Sequence, residues 1–161
     1  MWRLIALILL TPAAATAGPL DGKSYIVEIS SSQDASGYAA YLLPPLLKVL
    51  KRSALRPAKG PGADVVFNIV TESDVGRWVG KGSARTWLYR VDVTVGISPE
   101  SHVIPVDGTP RFGVRARLTT PDPDREDELA CLIALAARTA IANYRPEGLL
   151  DTDGSSCLRP G

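Results

Sequence analysis

The chain has 161 residues, with 18 basic and 17 acidic side chains and a single histidine, His102. Setting aside Arg3 in the amino-terminal segment leaves 17 bases against 17 acids, so bulk attraction to nucleic acid or to an anionic membrane is not indicated. About 144 residues lie beyond that segment, enough for one domain with a real core and too few for two.

The amino terminus has the three parts of a signal peptide. Arg3 precedes an uncharged apolar run from Leu4 to Leu10, and Thr11 and Pro12 lead to small residues ending Ala15-Thr16-Ala17. The run is far short of the ~20 residues a bilayer-crossing helix needs, so cleavage after Ala17 and a mature start near Gly18 are expected. A buried amino-terminal helix is the alternative, but Pro12 and the alanines beyond it would end it early. A lipoprotein would carry cysteine directly after the cleavage point. Gly18 and Pro19 stand there instead, which disfavours a lipid anchor and points to a soluble product in the periplasm or outside the cell.

Ser24 to Ser30 (SYIVEIS) places Tyr25, Val27 and Ile29 on one side and reads as the first strand. From Ser36 to Leu55 the pattern is helical, with Leu43, Leu46, Leu47 and Leu50 on one side and Lys48, Lys51 and Arg52 on the other. Pro44-Pro45 requires that this helix kink there or begin its regular part at Pro44. Arg56 to Gly62 is a turn-rich connector. Ala63 to Glu72 reads as a second strand, with Val65, Phe67 and Ile69 opposite Asp64, Asn68 and Glu72.

The strictest alternation runs from Arg85 to Ile97. Its odd positions include Trp87, Tyr89, Val91, Val93 and Val95, and its even ones Thr86, Arg90, Asp92 and Thr94, as in a strand that covers a core on one face and meets water on the other. After a loop from Ser98 to Gly108, Pro110 to Leu118 alternates Phe112, Val114, Ala116 and Leu118 with Arg111, Arg115 and Arg117. The last helix starts near Asp122 or Asp124, gathers Glu126, Asp127 and Glu128 at its positive end, and carries the stripe Leu129, Leu132, Ile133, Ala136, Ala140 and Tyr144.

The expected fold is α+β: a β-α-β-β-β-α two-layer sandwich whose mostly antiparallel sheet has both helices on one face. The domain spans 18–145, and 146–161 is read as an irregular tail. Cys131 and Cys157 make an even number in an exported chain, so pairing is the default. The ~13 residues from Tyr144 to Cys157 reach ~40 Å when extended, against ~20 Å back along the helix, so a bridge tying back the tail is possible. Closing such a loop contributes about 3 kcal/mol. Two inert buried thiols are the alternative, and the spacing excludes a CxxC redox pair.

Each candidate for chemistry has a plainer reading beside it. Ser101 and His102 are adjacent in an extended loop, where neighbours point to opposite sides, so a direct relay between them is poor. One histidine and a committed cysteine pair leave nothing for zinc, and neither a metal nor a cofactor is expected. Gly76 to Ser83 (GRWVGKGS) departs from a phosphate loop in spacing and context and reads as a mobile hairpin with an exposed Trp78; contact of Trp78, Arg77 and Lys81 with a partner or a lipid surface is the alternative. Asp151-Thr152-Asp153-Gly154 lacks the distal ligands of a calcium loop and reads as a turn. Acids from Asp122 to Glu128 suit a helix start without any catalytic role. Arg90, Arg111, Arg115 and Arg117 converge on the water-facing side of the sheet, near Asp92, Glu28 and Glu72. They offer either an anion-binding face or ordinary cross-strand pairing.

The YIVEIS strand, the LLPPLLKVLKRSAL helix, the ADVVFNIV strand and the ELACLIALAARTAIANY helix together resemble small α/β domains of bacterial envelope-assembly factors. Examples are the amino-terminal domain of TolB-type proteins and the lipoprotein subunit of lipopolysaccharide export. The resemblance lies in element order over most of the mature chain, with no diagnostic motif and no lipoprotein cysteine, so no functional residue is carried over. It implies a periplasmic binding or assembly role. The expectation is a non-enzymatic envelope accessory that binds an envelope protein or an anionic ligand. The alternatives are a hydrolase using His102 and a secreted inhibitor or host-facing factor that presents the Trp78 loop.

Overall fold

The structure, a computed structural model, describes residues 18–29, 35–60, 62–99, 110–122 and 126–158. The expected signal segment and the loop with Ser101 and His102 lie outside these residues. In chain order the elements are β1 (Ser24–Ile29), α1 (Ala35–Leu50), β2 (Arg56–Pro57), β3 (Val65–Ser73), β4 (Arg77–Val79), β5 (Thr86–Pro99), β6 (Phe112–Thr120), α2 (Glu126–Ala142) and β7 (Gly148–Asp153). All four expected strands and both helices are present, with ends shifted by a few residues. The largest shift is in α1, which stops at Leu50.

Sheet order is β2-β1-β3-β5-β6-β7, with β4 pairing β5 off this path. β1 is parallel to β2 and to β3, and β6 is parallel to β7, whereas β5 is antiparallel to both β3 and β6. The fold is the expected α+β two-layer sandwich, but its sheet is mixed: β5 runs against every other described strand. Strand periodicity carries no sign of direction. The direction comes from the two helices, because α1 links β1 to its parallel neighbour β3 and α2 links β6 to its parallel neighbour β7.

Alternate positions, odd in β3 and β5 and even in β6, face the helices, as the alternation requires. Val65, Phe67 and Ile69 of β3, Val91 to Ile97 of β5, and Phe112 to Leu118 of β6 supply the sheet side of the core. Leu42, Leu46 and Leu50 close it from α1, and Leu132, Ile133, Ala136 and Ala140 from α2. Pro44 and Pro45 lie inside α1, one exposed and one half-buried, away from this stripe. The N–H groups they lack would have bonded the carbonyls of Ala40 and Tyr41, on the exposed side of the helix.

The other face is less open than expected. Val66, Asn68, Asp92 and Ser98 are buried there, and Pro110 folds across the sheet over Gly96 and Gly113. Gly96 is required by this approach, since a Cβ would collide with Asn68 Oδ1 and the Pro110 ring.

The segment expected to be an irregular tail holds β7 and a short 3₁₀ turn, Ser155–Cys157. β7 pairs six residues with β6, and the turn brings Cys157 to Cys131 near the start of α2, with the two Cα atoms 5.6 Å apart in a disulfide. The bridge thus staples the β6-α2-β7 crossover, and Cys157 is buried. The Cys131→Ser, Cys157→Ser double variant is expected to lose about 3 kcal/mol of unfolding free energy in urea. An unchanged midpoint would show that the bridge constrains little.

Candidate functional site

β5 is longer than the sheet that flanks it. β3 pairs with it only as far as Ser73 opposite Val91, and β4 takes over with Arg77 opposite Leu88, Trp78 opposite Trp87 and Val79 opposite Thr86. Three residues on one side of this junction face two on the other, which makes it a β-bulge. Asp74 clasps it: its Oδ1 accepts the N–H of Arg90 at 2.7 Å and that of Gly76 at 3.1 Å, while its own N–H donates to the Arg90 carbonyl. Gly76 has φ of 85°, and a Cβ there would run into the Trp87 indole nitrogen, so only glycine lets Trp87 lie against the backbone.

Past the bulge the hairpin forms an arm. Trp78 stands edge-to-face on Trp87 at 5.3 Å between ring centroids, and Trp87 on Tyr89 at 6.5 Å. The guanidinium of Arg85 lies 5.9 Å from the Trp78 ring. Such contacts contribute about 0.5–1.5 kcal/mol for each aromatic pair, with a further share from the cation. They hold the three rings against one another, with Trp78 exposed and Trp87 and Tyr89 half-buried. Trp78 keeps 57% of its surface exposed, and Val75 89%. From Arg77 to Tyr89 the arm carries Arg77, Lys81 and Arg85 and no acidic residue.

The expected contact loop of Arg77, Trp78 and Lys81 therefore lies on this arm. The sequence reading missed Arg85, Trp87 and Tyr89 as members of the same site. Alternation assigned them to the core face, which is their geometric side, but they lie beyond the point where helices cover it.

The four arginines of the sheet face divide differently. Arg117 Nε donates to Asp92 Oδ1 at 3.1 Å, and Arg90 Nε approaches Asp92 Oδ2 at 3.7 Å. Arg115 Nε donates to Asp151 Oδ1 at 2.7 Å across β6 and β7. Arg111 is exposed and forms no ion pair among the described residues. Of the other two acids expected there, Glu72 faces Asp92 from β3, and Glu28 stands farther off, opposite Asn68. Asp92 is a buried carboxylate between two arginines, so these arginines first neutralise their own sheet. The Asp151 to Asp153 segment is also engaged, because Asp153 accepts the hydroxyl and the N–H of Ser155.

Hydrogen bonds fix the titration of several of these acids. The Arg115 side-chain hydrogen bond holds Asp151 below the usual carboxylate range, and the backbone N–H of Arg90 does so for Asp74. Asp153 is lowered by Ser155, and Asp64 by Ser24. A depressed native pKa contributes stability above the unfolded value, about 3.9, that is lost as pH falls through the native one. Asp151→Asn should therefore flatten the acid limb of a stability-against-pH curve followed by urea unfolding. An acid limb identical to that of the parent would contradict the Arg115 pairing.

No family model matches the chain, and no curated protein does. Among solved structures it is similar to a dodecamer of a PelC point variant from Paraburkholderia phytofirmans, at 17% identity over 81% of this chain and 95% of that one, with a TM-score of 0.45. It is also similar to a minor lipoprotein from Acinetobacter baumannii, at 19% identity over 81% of this chain and 98% of that one, with a TM-score of 0.47. Neither is a specific match to a TolB-type or lipopolysaccharide-export domain, and neither places this chain in a family.

Proposed function

We propose that this chain is an exported, non-enzymatic accessory of the cell envelope that binds another, anionic envelope component through the arm. The observation that carries this reading is the stack Arg85–Trp78–Trp87–Tyr89 projecting past the core, cationic, with Arg85 and Trp78 exposed and Trp87 and Tyr89 half-buried. Aromatic rings and arginine are the side chains that most often anchor protein interfaces, and a rigid stack loses little entropy on docking. The sheet-face arginines are less suited to this role, since three of the four already serve Asp92 and Asp151.

Export is part of the same proposal. The fold is engaged from the expected mature start onward, with Leu20 buried in the core. Cleavage after Ala17 would make Gly18 N, which lies 2.7 Å from Asp21 Oδ2, an α-ammonium paired with that carboxylate. The disulfide suits an oxidising compartment. Among the described residues no helix is long and apolar enough to cross a membrane.

Co-purification from envelope extracts tests the binding claim. The parent chain should retain a partner that is released as salt rises, and both Trp78→Ala and the triple variant Arg77→Glu, Lys81→Glu, Arg85→Glu should lose it while unfolding at the parent's urea midpoint. Retention of the same partner by both variants would sink the proposal.

A further inference from the structure

A second surface, independent of the arm, lies on the outside of the helix layer. α1 and α2 each cross back from a strand to its parallel neighbour, and β1, β3, β6 and β7 all point the same way, so the two helices run in the same direction. Between them is a groove of about 700 Å³. That is within the ~300–1,000 Å³ of small-molecule sites. Its α2 wall runs from Ala130 to Ala142, a length of ~18 Å at 1.5 Å per residue.

The groove is polar at one end only. Its half nearer the helix starts is lined by Pro44, Pro45, Ala130, Cys131 and Ala134, with no charged side chain. Small residues on α2 and the rings of the two prolines make this a smooth apolar trough. From its middle toward the helix ends, Lys48 and Arg52 stand on one wall and Arg138 on the other. No acidic residue lines any part of it, and the three cations form no ion pair among the described residues. The helix dipole accounts for Lys48 in the last turn of α1, but Arg138 lies before the last turn of α2. Three cations around one end of an apolar trough match a ligand with the complementary layout, an alkyl chain ending in an anionic head.

We infer that this groove binds a single-chain anionic amphiphile of the fatty-acid type, with the alkyl chain along the Pro44–Ala134 half and the carboxylate between Lys48, Arg52 and Arg138. The guanidinium forks of Arg52 and Arg138 suit a carboxylate, which they can grip with paired N–H donors.

Isothermal titration of the purified chain with monomeric myristate tests this. Saturable one-to-one binding is expected. It should weaken by about tenfold or more in Ala134→Phe, which fills the trough, and in Lys48→Glu, Arg52→Glu, Arg138→Glu, which reverses the charge. Trp78→Ala should bind as the parent does, which separates this site from the arm. Dodecyltrimethylammonium, with a similar tail and the opposite charge, should not bind saturably. The proposal is overturned if the parent shows no saturable myristate binding, if both groove variants bind unchanged, or if the cationic amphiphile binds as well. It is equally overturned if the chain ignores myristate but sediments with phosphatidylglycerol vesicles, or forms a dimer that Ala134→Phe abolishes, since the groove would then serve a membrane or a second copy.

Discussion

Everything in this fold depends on β5 holding its register against two neighbours at once. It joins two parallel crossover units, β1-α1-β3 and β6-α2-β7, and pairs antiparallel with both. Val91, Val93, Val95 and Ile97 face the helices, where each buried side chain contributes about 1.5–3 kcal/mol. A slip of one residue would turn Arg90, Asp92 and Thr94 into the core, so the alternation excludes its nearest competitor. The same register sets Asp92 opposite Arg117 and completes the charge pairing on the other face. Asp92 is buried and Arg117 half exposed, so losing Arg117 would cost more than the exposed pair suggests, on the order of 1–3 kcal/mol.

β5 also makes the arm possible. A strand that continues past its partners would present unpaired backbone and exposed rings, a template for aggregation. Here β4 pairs the extension and the Asp74 clasp fixes the bulge. The apolar face of β5 thus continues without a break from the core into solvent, changing from aliphatic residues packed under helices to aromatic residues packed on one another. The arm is therefore a continuation of the core strand beyond the helix layer.

Much of this was legible in the residues. The alternation in β3, β5 and β6 and the apolar stripe of α2 stand where periodicity placed them, because each buries one face against one core, whereas the stripe of α1 is turned slightly, with Leu42, Leu46 and Leu50 buried and Leu43 and Leu47 half-buried. The helix-to-tail reach of Cys131 and Cys157 also anticipated the bridge that forms. Strand direction was not legible, since parallel and antiparallel strands alternate alike. β7 escaped notice because Gly148 to Asp153 mixes two leucines with turn-forming aspartates and gains its order from pairing with β6. In the candidate site, Trp78 was visible as a large aromatic among glycines. Its partners Trp87 and Tyr89 were not, because only the end of the helix layer separates a core position from a half-buried one on the same strand face.

The central claim is that β5 is one strand with two parts, an inner half that locks the fold and an outer half that forms a separable arm. Amide hydrogen exchange on the intact chain tests it directly. The account predicts that Val91 to Ile97 exchange only through global unfolding, whereas residues 77–88 exchange faster through local opening of the arm. Equal protection along the whole strand, or earlier exchange from Val91 to Ile97 than from the arm, would contradict it.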